Sequence, residues 1–196
     1  MKQKPEPQGV GPTGIDSLQT GQDATLWQTY SFAPLWYSDA KAEAQLHDHN
    51  ARRREIVFSV TCAESYLIEW VRDSVLAQGI CAMNVYFPAG KQRGVRDKYK
   101  EVTKALLEDG RIPARLDCGA QEWAQFCNLV TYRDGLIHAS SSRPDTAGLP
   151  TNEKPVPSKS DLDAYPQGQA VQVVRSLLKK LHADTQTPEP EWLQNG

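Results

Sequence analysis

Glu55-Ile56-Val57-Phe58-Ser59-Val60-Thr61-Cys62-Ala63-Glu64-Ser65-Tyr66-Leu67-Ile68-Glu69-Trp70 is the stretch whose reading decides the fold. Ile56, Val60, Ala63, Leu67 and Trp70 step by four and three residues. At about 3.6 residues per turn, that spacing gathers them on one face of a helix. A strand would instead alternate by two, and no strongly patterned segment of the chain does so. From Ser38 to about Leu76 there is neither Pro nor Gly, Ser38 or Asp39 can cap the start, and Ala77-Gln78-Gly79 marks the end. The pattern fits one long helix, or two broken near His47-Asp48-His49-Asn50.

Working outward, the same periodicity recurs. Lys98 to Leu107 places Tyr99, Val102, Ala105 and Leu106 on one face, and Gly110 stops it. Ala120 to about Ala139 is a second strong helix. Gln169 to His182 is the last, with Val174, Leu177, Leu178 and Leu181 as its face. Residues 80–95, with Pro88, Gly90 and Gly94, read as a loop, and Ile112 to Gly119 as a connection. Upstream, Trp27, Tyr30, Phe32, Leu35, Trp36 and Tyr37 crowd into a stretch that needs burial. It reads as a short docking arm, a core or dimer contact rather than a platform for stacked bases. The expected organisation is a mobile tail over residues 1–22, a helical domain over 23–184 with a long loop at 140–167, and a mobile tail over 185–196. The expected fold is all-α, an up-and-down bundle of four to five helices.

With 196 residues, the chain has the length for one domain with a real core. Hydrophobic residues at 39% and charged residues at 23% are ordinary for a globular protein. A formal net charge of -2 excludes a generally basic surface and leaves room for a local basic patch. Cys62, Cys81, Cys118 and Cys127 form no C-x-x-C pair, so they read as free thiols in a reducing compartment. The opening Met-Lys-Gln-Lys-Pro-Glu-Pro-Gln has no apolar signal region, and no apolar run approaches the ~20 residues of a bilayer span. A cytoplasmic location is expected.

Chemistry concentrates in Trp123-Ala-Gln-Phe-Cys-Asn-Leu-Val-Thr-Tyr-Arg133-Asp134-Gly-Leu-Ile-His138. On a helix Trp123, Val130 and Ile137 form one stripe, with Arg133 about 60° to one side of Val130 and His138 about 80° to the other. Asp134 and His138, four apart, share a face and can hydrogen-bond. A cation and an imidazole flanking an apolar seam suit a seam that packs against a symmetry mate. Two-fold symmetry would then set two arginines and two histidines around one cleft. Cleavage of RNA through its own 2′-OH wants that set. One imidazole takes the 2′-OH proton, another protonates the leaving 5′ oxygen, and a cation stabilises the phosphorane. A pKa of about 6.5 suits His to both roles.

Arg133, Asp134 and His138, late in an all-α chain and near the end of an apolar helix, resemble the HEPN superfamily, whose members carry Arg-x(4 to 6)-His, often with a polar residue after the Arg. The resemblance spans about residues 40 to 183, and only the short motif is sharp. It implies a helical bundle, a homodimer, and metal-independent RNA cleavage leaving a 2′,3′-cyclic phosphate, often by a toxin or defence effector with an antitoxin or partner protein. The family more often has Asn where this chain has Asp134, which bears on how His138 is oriented. A rival reading keeps the fold and makes the domain an inactive interaction or nucleotide-sensing module.

Other residues could support the site. Glu64, on the edge of the apolar face, needs a partner and could hold the Arg133 guanidinium, or form an ordinary surface pair. Basic residues cluster at Arg52-Arg53-Arg54 and between Lys91 and Arg115. Arg53, Arg96, Lys98 and, after the motif, Arg143 are candidates to track a phosphate backbone, and a solvated helix face is the alternative. His47 and His49 would point about 200° apart on a helix, so no metal site is read there, and no cofactor is expected. Arg175 and His182 also satisfy the loose spacing, but they lie near the chain end and Ser176 and leucines follow the Arg.

Overall fold

The computed structural model describes residues 31–72, 86–87, 93–138 and 164–195, apart from the side chains of His49 and His138. All of these residues belong to one compact unit, Ser31–Gly196. The expected tail at 1–22, the Ala77-Gln78-Gly79 stop and most of the 80–95 and 140–167 loops lie outside them. The described residues are all-α, without a strand. Their helices are α1 (Ala33–Glu43), α2 (His49–Trp70), α3 (Val95–Glu108), α4 (Gln121–His138), α5 (Gln169–Thr185) and the single turn α6 (Glu191–Gln194).

The break near His47 is real, and Asp48 makes it. Its backbone is extended (φ -123°, ψ 155°), and its side chain accepts from Asn50 N–H at 2.6 Å and Ala51 N–H at 3.0 Å. Those bonds satisfy helix-end donors that have no partner within α2. The first helix starts earlier than Ser38 or Asp39. Pro34 sits in its first turn, where its missing N–H costs nothing. The described part of the aromatic stretch is thus helix rather than arm, with Trp36 against Phe58 at 5.5 Å and Tyr37 buried.

The expected face of α2 is the centre of the core: Ile56, Val60, Ala63, Leu67 and Trp70 are all buried, as are Val174, Leu177, Leu178 and Leu181 of α5. Side-chain contacts give the directions. Arg54 meets Glu43 while Glu69 meets Ala33, so α1 runs antiparallel to α2. Glu55 meets Ala170 and Tyr66 meets His182, so α5 runs parallel to it. Tyr132 meets Tyr165, and the Asp117 N–H before α4 donates to Asp184 late in α5, so α4 runs back against α5.

Two buried carboxylates of α2 organise this arrangement. Glu55 accepts from the N–H groups of Gly168 (2.9 Å), Ala170 (3.0 Å) and Val171 (3.4 Å) at the start of α5. Glu69 accepts from Ser31 Oγ (2.5 Å), Phe32 N–H (2.6 Å) and Ala33 N–H (3.0 Å) at the start of α1. Neither helix has a side-chain cap of its own. Each receives an anion on its positive end from α2 instead. Gly168 makes the approach to α5 possible, since its φ of 79° is open to glycine and strained for other residues. Burial pushes the Glu55 carboxyl up, and the three N–H bonds and Arg52 pull it back. Glu55→Ala should cost about 1–3 kcal/mol, because three donors, two of them in buried bonds, lose their acceptor. Urea unfolding measures this, and a loss under about 0.5 kcal/mol would remove the capping role.

The expected mobile tail at 185–196 is corrected. Leu193 is fully buried, and Trp192 packs against Tyr37 at 5.1 Å and Tyr66 at 5.5 Å. The apolar pair Trp192 and Leu193 supplies the burial that holds a polar chain end on the bundle.

Candidate active site

The connection before α4 is fastened by Asp117, whose Oδ1 accepts from Gly119 N–H at 2.8 Å. The helix then drives Trp123, Phe126, Leu129 and Val130 into the core. Trp123 packs on Tyr99 at 6.3 Å and Phe126 at 5.9 Å. This corrects the expected seam. Trp123 (4% exposed) and Val130 (3%) belong to the chain's own interior, and of the stripe Ile137 alone is exposed, at 47%. The wheel locates the stripe correctly, but its start, Trp123, already packs on Tyr99 of α3.

Beyond Val130 the helix becomes half-buried and polar. Thr131 Oγ donates to Cys127 O at 3.1 Å and accepts from Arg96 Nη2 at 2.6 Å, which ties α3 to α4 two residues before Arg133. The Arg133 side chain is 19% exposed. Its Nε lies 3.0 Å from Asp134 Oδ1, yet the N–H is not directed at the carboxylate and finds no acceptor among the described residues. This is a charge pair rather than a hydrogen bond, with Asp134 itself 48% exposed. The described contact of Asp134 is therefore with Arg133. His138 is the last residue of α4, and its side chain lies outside the described residues, as does Arg143.

Glu64 does not serve as the holder of Arg133. Tyr99 Oη donates to Ala63 O at 2.7 Å, which registers the first turns of α3 against the middle of α2. Lys98 arrives beside Glu64 and takes its carboxylate in a charged hydrogen bond. The same pair offsets the charge of one expected phosphate-binding lysine. Other basic residues are matched likewise: Arg93 pairs with Glu101, and Lys104 with Glu108 at 3.7 Å. Arg54 makes two bonds of 2.8 Å to Glu43, fastening α1 to α2. Lys100 lies over the Trp123 ring at 5.6 Å. Arg53 is half-buried in the first turns of α2. Arg96 keeps a buried Nε without a partner among the described residues. Much of the basic run is thus a neutralised helix face.

The other Arg-and-His pair has a different role. His182 is 2% exposed, with Nε2 2.6 Å from Tyr66 Oη and Nδ1 2.9 Å from Thr187 Oγ1. Burial lowers its pKa. A ring closed in on both nitrogens is a core histidine. Among the described residues no group of His, Cys, Asp and Glu could hold a metal ion, and no helix is long and apolar enough to cross a membrane.

Sequence reading missed Glu55, Glu69 and the His182 network. The available signal was that Glu55 and Glu69 stand directly beside the apolar-face residues Ile56 and Trp70. No protein-family model matches the chain, and comparison with curated proteins and with solved structures gives no match.

Proposed function

We propose that this chain is a HEPN-like, metal-independent endoribonuclease that works as a homodimer, in a toxin–antitoxin or defence setting. The observation that carries the reading is the placement of Arg133-x4-His138. Both residues lie on the last two turns of α4, and the Arg133 side chain is paired with Asp134 yet 19% exposed, open enough to meet a ligand. In the proposed reaction a His138 imidazole removes the proton of a ribose 2′-OH. The 2′ oxygen attacks the phosphorus, and the bond to the 5′ oxygen breaks as that oxygen takes a proton from the second imidazole. The products are a 2′,3′-cyclic phosphate and a free 5′-OH. Arg133 stabilises the crowded phosphorane charge, and Asp134 holds the guanidinium side of the site.

A second reading, the inactive interaction or nucleotide-sensing module, gains from the corrected seam, because Trp123 and Val130 are not offered to a second copy. One experiment separates the two. Purified protein in excess EDTA should cut single-stranded RNA, leave cyclic phosphate ends and spare DNA of the same sequence, which lacks the 2′-OH. Intact RNA after prolonged incubation would give the module reading the lead.

A further inference from the structure

His182 stands in the last turn of α5, where two separate parts of the chain meet its ring. From α2, Tyr66 Oη lies 2.6 Å from Nε2. From the segment after α5, Thr187 places its carbonyl oxygen 3.2 Å and its Oγ1 2.9 Å from Nδ1. A carbonyl only accepts, so Nδ1 carries the hydrogen, and Nε2 accepts from the tyrosine O–H. The ring is neutral and used at both nitrogens. Thr187 Oγ1 also accepts from Trp70 Nε1–H at 3.1 Å and lies 3.0 Å from Thr185 Oγ1.

Past Thr187 the chain depends on this anchor. Gln186 takes a left-handed turn (φ 53°) and folds the segment back, with Thr187 N–H donating to His182 O at 3.2 Å. The following helix, α6, is a single turn, too short to hold its own conformation. Its place is set by Leu193 in the core and by a row of rings, in which Trp192 stands between Tyr37 and Tyr66, and Tyr66 meets His182 at 5.8 Å. Tyr37, Lys41, Gln45, Trp192 and Asn195 line a shallow groove that exists only while this segment is docked.

We propose that His182 pins a pH-operated latch, which holds residues 187–195 on the bundle when the imidazole is neutral and releases them when it is protonated. A second ring proton would sit on Nε2, where the Tyr66 proton already points, and would place a charge in a site that excludes water. The titratable groups about the ring are Tyr66 from α2, Glu189 from the segment itself and, across Trp192, Tyr37 from α1. Burial lowers the ring's pKa, and the Thr187 carbonyl bond and Glu189 oppose that shift without overcoming it. The sign follows. A released ring protonates near its ordinary value of about 6.5, and the docked ring protonates lower. Docking is therefore fully present above about pH 6.5 and weakens as pH falls below it, by up to about tenfold per pH unit, until the docked ring itself takes the proton.

Hydrogen exchange tests this on the whole chain. The amides of Leu193, Gln194 and Asn195 bond within the segment, to Pro190 O, Pro190 O and Glu191 O. Their protection factors, relative to α3 amides, should fall by up to about fivefold between about pH 6.5 and 5.5. His182→Gln keeps a donor and an acceptor but does not titrate, so its protection should stay level with pH. Equal loss in the variant, or none in the parent, overturns the latch. If the variant does not dock at neutral pH, the ring titration of His182 in the parent decides. A midpoint below about 6.5 that coincides with loss of protection supports the proposal, and a midpoint at the ordinary value with protection intact overturns it.

Discussion

RNA cleavage by the His138→Ala protein is expected to fall by about 10²–10⁴-fold, below the floor of a routine gel assay. The residue removed is the only group in the motif that can both take and give a proton near neutral pH. Arg133→Ala should also be severe, but for a different reason, since it withdraws charge stabilisation made mainly in the transition state. It should therefore lower kcat and kcat/KM together. Asp134→Asn should be the mildest, because an amide oxygen still faces Arg133 and the group is 48% exposed. Circular dichroism should show parental helix content in all three, which separates loss of chemistry from loss of fold. If His138→Ala cuts at the parental rate, the cleavage arises elsewhere, and the motif is structural.

Val130→Arg is expected to prevent folding, whereas Ile137→Arg, two turns along the same stripe, is expected to fold normally. Val130 is 3% exposed and lies among Trp123, Phe126 and Leu129. A guanidinium there would be a buried charge without a partner, worth about 3–5 kcal/mol or more of destabilisation. That is a large fraction of the ~5–15 kcal/mol of a typical domain. Ile137, at 47% exposure, should change stability by no more than about 0.5 kcal/mol. The contrast makes Ile137→Arg the proper probe of the proposed homodimer. Sedimentation should give a dimer for the parent and a monomer for Ile137→Arg. A parent that sediments as a monomer at high concentration, or a dimer untouched by Ile137→Arg, removes this face from the assembly. A stable Val130→Arg protein would contradict the packing of α4.

The all-α architecture was legible because apolar spacing carries it. Ile56 through Trp70 and Val174 through Leu181 lie in the core where the four-and-three steps put them. The end of α1 and the start of α2 were legible as a choice, and Asp48 decided it through two backbone bonds that spacing does not encode. Periodicity gives a direction around a helix without saying what stands there. It placed Trp123 and Val130 on a stripe, and a second protomer was inferred where Tyr99 of the same chain already packs. The partner of Glu64 was legible only as a choice between Arg133 and an ordinary pair. A carboxylate at the edge of a face announces that it needs a cation, but the register of α3, set by Tyr99 on Ala63, chooses Lys98. The polar chain end concealed its docking because Trp192 and Leu193 are its only large apolar residues.

The two glutamates of α2 have a consequence for how the protein comes apart. Helix ends ordinarily fray first, because water readily replaces the few bonds that they lose. In α1 and α5 the first turn is tied to a carboxylate of another helix, α2, 36 to 38 residues away for Glu69 and 113 to 116 for Glu55. Unwinding either end strands a buried anion, so a local loosening there carries a penalty that an ordinary frayed end escapes. The weakest points of a helical bundle thus become the places where its parts are compelled to melt together, and partly open forms with one helix peeled away are kept scarce.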